Sequence, residues 1–195
     1  MRHITKFLLA ATLVSTLPAC LADPSDPDTG ATGDPSNTAD SVAQKVARLI
    51  AFNPGATQVG PNMVKLGEGV TAIVPSEQDL VINPRSASGR CLGGNLCLFQ
   101  DSNFGGSILQ ISTCSTVNLA TLNMDNGHPW NNQASSIDNP LPRTGQAQFF
   151  DNTNGTGFML AVAGGHFLKN LTSDTSATGG NANDKIGSVK PCVVP

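Results

Sequence analysis

Tyrosine is absent from this chain of 195 residues, and tryptophan occurs once. Aromatic residues make up 5% of the chain, against 20 glycines and 13 prolines. That balance works against long helices and favours short strands joined by turns. At this length the chain forms one ordinary domain or two small ones. A basic face is also missing. Asp23, Asp26, Asp28, Asp34 and Asp40 precede residue 41, as do the bases Arg2 and Lys6, which leaves nine acids and nine bases in the remainder, with the lysines and arginines scattered. Nucleic acid is therefore not an expected partner.

Catalytic signatures are lacking as well. His3 belongs to the N-terminal leader, and neither His128 nor His166 stands in a two-histidine zinc spacing such as H-E-x-x-H. No G-x-S-x-G elbow or phosphate-binding loop occurs. The carboxylates are too dispersed to form a nameable acid–base pair. His128, beside Pro129 and Trp130, reads as a loop or corner residue, and the chain reads as a non-enzyme.

No apolar run is long enough to cross a bilayer with ease. The longest candidate, residues 7–17, follows Arg2 and Lys6 and ends in small residues, which is the build of a secretory signal peptide over residues 1–19. Leu17-Pro18-Ala19-Cys20 resembles a bacterial lipobox, with Pro18 unusual within it; the competing reading is ordinary cleavage near Ala22 and a freely secreted product. The chain has five cysteines, an odd count for an exported protein. Lipidation of Cys20 leaves Cys91, Cys97, Cys114 and Cys192, enough for two disulfides in an oxidising compartment. Residues 20–40 are read as a disordered acidic tether, because positions 23–40 offer no large apolar side chain to bury. The expected location is the bacterial membrane surface, reached through the lipid alone, and the Asn154 and Asn170 sequons are then fortuitous. A monomer is expected.

Residues 41–85 read as a small element and a linker. Asp40 or Ser41 caps a helix whose Val42, Val46, Leu49 and Ile50 share one face, and Asn53-Pro54-Gly55 stops it. Two extended stretches come next, near residues 57–59 and 70–74, with Gly67-Glu68-Gly69 as a turn between Met63-Val64 and the second. Such an element buries little alone, so it docks on the domain C-terminal to it or stays mobile.

Residues 90–195 carry an internal repeat. Phe99, Asp101 and Gly106 fall in one hairpin pattern, and Phe150, Asn152 and Gly157 fall in a second at an offset of 51. Further along, Asn131-Asn132-Gln133-Ala134-Ser135-Ser136 is matched by Asn183-Asp184-Lys185-Ile186-Gly187-Ser188 at an offset of 52. Two units, at about 91–141 and 142–195, therefore share hairpin, glycine and polar loop in one order, the mark of a duplicated supersecondary unit. Taken singly, such loops read as turns built from Asn, Asp, Ser and Gly. Taken as a pair, they supply the carboxylate, amide and hydroxyl oxygens that suit calcium.

These residues carry a resemblance. Phe99, Phe104 and Gly106 resemble the hairpin signature of βγ-crystallin Greek keys, and residues 131–136 match the microbial calcium-binding pattern (Asn/Asp)-(Asn/Asp)-x-x-(Ser/Thr)-Ser at each specified position. The resemblance implies an all-β, βγ-crystallin-like double Greek-key sandwich preceded by a short helix plus hairpin element, with Trp130 in the core. It implies calcium ligands among Asn131, Asn132, Ser135, Asn183 and Asp184, with hairpin carbonyls of the other unit beside them: Asp151 supporting Ser135, and Gln100 facing Gly187. Gly187 lacks a hydroxyl and Gly155 replaces a hairpin aromatic, so one competent site and one weak site are expected.

A narrower resemblance rests on Asn53-Pro54-Gly55-Ala56-Thr57-Gln58-Val59, on Cys91-Leu92-Gly93-Gly94-Asn95-Leu96-Cys97-Leu98-Phe99 and on Asn103-Phe104-Gly105-Gly106. It is similar to secreted bacterial proteins of peptidase inhibitor family 36, whose founding member inhibits thermolysin-like metallopeptidases. That implies Cys91–Cys97 and Cys114–Cys192 disulfides and a metallopeptidase partner. The founding inhibitor presents its reactive loop within a second short disulfide loop that this chain lacks, so no bait residue carries across. The alternative function is a calcium-stabilised structural or cell-surface module with no peptidase target.

Overall fold

The structure, a computed structural model, describes residues 40–76, 88–142, 145–173 and 180–193. The signal peptide, Cys20, the tether up to residue 39 and most of the linker lie outside the described residues.

Helix α1 (Val42–Phe52) begins at Ser41, whose hydroxyl accepts from the Gln44 backbone N–H while the Gln44 side chain accepts from the Ser41 N–H. This reciprocal cap satisfies two orphan donors of the first turn. Val46 and Leu49 are buried against Val64, Ala72 and Val74, so the apolar face read from the sequence is the docked one. Asn53 does more than stop the helix. Its amide donates to Leu49 O (2.8 Å) and Asn123 O (3.0 Å), and its Oδ1 accepts the Asn123 N–H (2.7 Å), which joins the helix end to a loop seventy residues away.

Three strands succeed the helix where two extended stretches were anticipated: β1 (Thr57–Gly60), β2 (Met63–Gly67) and β3 (Val70–Ile73). The first unit then supplies β4 (Leu96–Asp101), β5 (Gly105–Ile111), β6 (Val117–Asn118) and β7 (Ser136–Asn139). The second supplies β8 (Gln146–Phe150), β9 (Phe158–Ala163), β10 (His166–Leu168) and β11 (Ser188–Val193).

One sheet has the order β1-β2-β3-β5-β4-β7-β10 and the other the order β6-β11-β8-β9, with antiparallel pairing throughout. Each unit thus sends its third strand, β6 or β10, to the sheet built by the other unit. That exchange makes two interlocked Greek keys, the βγ-crystallin-like sandwich implied by the sequence. The small N-terminal element is neither separate nor mobile, because β3 pairs with β5 from Val70↔Ile111 to Ile73↔Ile108 and lengthens the first sheet.

The core lies between the sheets. Trp130, Leu98, Leu109, Ile137, Phe149, Met159 and Val189 meet there, each at most 2% exposed. Burial of side chains this size contributes about 1.5–3 kcal/mol apiece. Cys91–Cys97 and Cys114–Cys192 are both bonded, at sequence separations of 6 and 78.

Candidate cation site between the polar loops

The repeat is legible residue by residue in the hairpins. Gly106 has φ +68°, and a Cβ there would come within 2.7 Å of the Asp101 carboxylate, so only glycine fits. The last serine of each polar loop reaches into its own unit's hairpin. Ser136 Oγ donates to Asp101 O (2.7 Å) and accepts the Phe104 N–H (3.0 Å). Ser188 Oγ donates to Asn152 O (2.5 Å) and accepts the Gly155 N–H (3.0 Å). Both serines are fully buried, so they pin hairpins and are withdrawn from solvent.

The loops also clasp each other. Asn132 and Asp184 occupy matching second positions with φ of 59° and 52°, a left-handed geometry that Asn and Asp tolerate. From there the Asn132 N–H donates to Ile186 O (3.0 Å) and the Asp184 N–H to Ala134 O (3.2 Å). Ala134 and Ile186 are fully buried, so this reciprocal pair fixes the loops against the core.

This clasp assigns the oxygen donors differently from the family resemblance. Ser135 N–H donates to Phe99 O (2.9 Å), which sets Ser135 beside Phe99 and Gln100 of its own hairpin. Its hydroxyl lies 3.4 Å from Asp184 Oδ1, and Asn183 Nδ2 lies 2.5 Å from Asp184 Oδ2. Ser135, Asp184 and Asn183 are thus brought together at the edge of the Gln100 backbone, and Asp151 does not join them. On the other side, Gly187 N–H donates to Phe150 O (2.8 Å), so Gly187 faces Asp151 and not Gln100. The correction has a simple cause. The fifth loop residue pairs in sheet register with the hairpin of its own unit, whereas the second loop residue crosses to the other.

The two sites therefore differ in chemistry. The Ser135 side offers one carboxylate, one hydroxyl and neighbouring main-chain oxygens, a hard-oxygen set that fits calcium. The Gln100 side chain is engaged within its own hairpin, its Oε1 accepting from Ser107 N–H at 3.5 Å. At the Gly187 side a Cβ would overlap the Asp151 carbonyl oxygen. Asn132, whose N–H meets Ile186 O, stands on that side without a fifth-position hydroxyl or a carboxylate beside it, and the set does not fit the ion. Among the described residues, no three His, Cys, Asp or Glu side chains gather to hold a metal, at this site or at any other.

One buried carboxylate escaped the sequence reading. Asp138, 2% exposed, accepts from the Ser88 N–H (3.0 Å) and hydroxyl (2.8 Å), and Ser88 Oγ in turn accepts the Arg90 and Cys91 N–H groups. Asp138 thereby seats the start of the Cys91–Cys97 loop on β7. Nothing in Ser136-Ile137-Asp138-Asn139, polar at three of four positions, signals that burial. His128 closes the Met124–Gly127 turn, its N–H donating to Asn126 Oδ1 at 2.9 Å, as befits a loop residue.

Residues 84–161 match peptidase inhibitor family I36. No curated protein matches the chain. Among solved structures it is similar to a double mutant of a βγ-crystallin domain from Clostridium beijerinckii (24% identity, 49% of this chain and 93% of that one, TM-score 0.37). It is also similar to a βγ-crystallin from Ciona intestinalis (26% identity, 50% and 99%, TM-score 0.36) and to a βγ-crystallin domain from Flavobacterium johnsoniae (22% identity, 49% and 90%, TM-score 0.34).

Proposed function

From a chain that carries a peptidase inhibitor family I36 domain in a βγ-crystallin-like fold, we propose an exported, non-catalytic inhibitor of a metallopeptidase, stabilised by one calcium ion. The observation that carries the inhibitor reading is the span of the family match. Residues 84–161 take in the disulfide-closed Cys91–Cys97 loop and the β4–β5 and β8–β9 hairpins, the parts that the two buried serines and Asp138 hold rigid. Rigidity of this kind lowers the ordering cost of engaging a partner.

The reading is tested by titrating the purified chain into a thermolysin-like metallopeptidase. Inhibition with a dissociation constant of micromolar or tighter, about −8.2 kcal/mol or stronger, is the expected result. Absence of inhibition at micromolar protein would sink it.

A second reading, a calcium-stabilised surface module with no peptidase target, is favoured by the Ser135–Asp184 pair. Calcium titration followed by thermal melting addresses the shared part of both readings. An ion that binds only the folded chain adds about 2.7 kcal/mol at a hundredfold excess over its dissociation constant, so the melting temperature rises. Ser135→Ala is expected to remove most of that rise, and an unchanged rise would reject the ligand set. Export rests on the leader and the two disulfides, and the lipid anchor rests on Cys20. Membrane partitioning that persists in Cys20→Ser counts against the anchor.

A further inference from the structure

The strands added ahead of the first unit do more than lengthen its sheet. Met63 of β2 pairs with Ile73 of β3, and Ile73 with Ile108 of β5, so the three side chains form one cross-strand row on one face. Leu98 and Leu109 face the core between the sheets. Ile108 packs instead with Phe99, Phe104 and the Cys91–Cys97 pair, which puts the row on the outer face. Leu92 of the disulfide loop and Pro75 complete the apolar wall of a cavity of about 150 Å³. An apolar cavity of that volume accepts a six-carbon ring. The second unit has no counterpart, because among the described residues no strand flanks β9 as β3 flanks β5.

One charged residue lines this cavity, Arg90, since Asn62 and Ser76 are neutral. The Arg90 N–H donates to Ser88 Oγ at 3.1 Å, and Ser88 is held by the buried Asp138, so its backbone is anchored to β7. Its guanidinium uses one of five donors on Phe104 O at 3.5 Å. The ion pairs among the described residues are those of Arg48, so none of their carboxylates neutralises Arg90.

A forked cation beside an apolar cavity is complementary to a carboxylate joined to an apolar group. We propose that this cavity binds a small organic acid, its phenyl or branched alkyl group against Met63, Ile73 and Ile108 and its carboxylate on Arg90. A free acid and the C-terminal residue of a peptide share that chemistry.

The full chain carrying Cys20→Ser, which keeps any acyl group out of the assay, is titrated with hydrocinnamate. Binding is followed by calorimetry and by the methyl resonances of Met63, Ile73, Leu92 and Ile108. Saturable binding with a dissociation constant of about 1 mM or tighter, with shifts at those methyls, is expected. Hydrocinnamyl alcohol keeps the ring without the charge, and acetate keeps the charge without the ring. Each should bind at least about tenfold more weakly. Arg90→Gln should lower the affinity for the acid to that for the alcohol and leave the alcohol within about twofold of its parent value. A general loss of structure would not give that split. An N-acetylated dipeptide ending in phenylalanine separates the two sources: tighter binding than hydrocinnamate assigns the site to peptide C-termini, and weaker binding to a free acid. Methyls that stay unmoved at about 10 mM hydrocinnamate overturn the proposal. So does an alcohol that binds as tightly as the acid, or an Arg90→Gln variant that weakens both alike.

Discussion

Gly187 stands where Ser135 stands in the other loop, and the obvious repair of the second cation site is Gly187→Ser. The structure forecasts failure. The space a side chain would take is filled by the Asp151 carbonyl oxygen, a main-chain atom held by the hairpin and unable to move as a flexible side chain would. Overpacking of a buried position costs about 1–3 kcal/mol. Urea denaturation of the variant is expected to show a loss of that order, and calcium calorimetry to show an unchanged number of sites. A gain of one site would mean that the Asp151 strand yields. The sequence revealed the missing hydroxyl, because the loops align in register. It did not reveal the occupied space, which depends on where a carbonyl from residue 151 lands in three dimensions.

At the scale of elements, helix α1 owes its position to contacts that only the tertiary structure brings together. Its capping box and apolar face are local, and both could be read from Ser41, Gln44, Val46 and Leu49. Its docking is not local: Asn53 bonds to Asn123, and Arg48 Nε donates to Asp125 O at 2.9 Å while its guanidinium pairs with Asp40 at 2.7 Å. The same limit hid the β3–β5 pairing. Val70–Ile73 reads as a strand from its own residues, but nothing within it names a partner in Ile108–Ile111. The exchange of β6 and β10 between sheets was reachable only through the family resemblance, since strands of two and three residues carry little pattern of their own.

The Arg48 contact gives the helix a pH dependence with a definite sign. The hydrogen bond from Arg48 holds the Asp40 carboxyl below its ordinary value, opposed by desolvation and aided by the charges of Arg48 and Lys45. A carboxyl depressed in the folded state contributes stability above its unfolded pKa, near about 3.9, and loses it as pH falls through the folded value. Amide protection in α1, relative to the intrinsic exchange rate at each pH, should therefore be flat with respect to this pair from pH 8 to about 5 and fall below about 4. Asp40→Asn is expected to flatten that acid limb. Because both groups face solvent, the effect is small and shrinks in high salt. An acid limb unchanged by Asp40→Asn would place the pH-sensitive contact elsewhere.

For the whole molecule, the two disulfides act on the unfolded chain in unequal measure. The pairing implied by the resemblance is the one observed. Cys91–Cys97 closes a separation of 6 residues and Cys114–Cys192 one of 78, joining the end of β5 to β11 and so unit one to unit two. Loop-closure entropy assigns about 2 kcal/mol to the first and about 4.5 kcal/mol to the second. Cys91 and Cys97 are fully buried, so replacing that pair also removes core contacts, and stability loss alone does not separate the two effects. The denaturant slope does, because it follows the surface newly exposed on unfolding. Cys114→Ala with Cys192→Ala frees a long segment of the unfolded chain and is expected to steepen the slope and lower stability by about 4–5 kcal/mol. Cys91→Ala with Cys97→Ala frees a short one, so its slope should stay close to that of the parent. Equal slopes in the two variants would show that the long bridge does not restrain the unfolded chain, and its contribution would then lie in the folded contact between the two units.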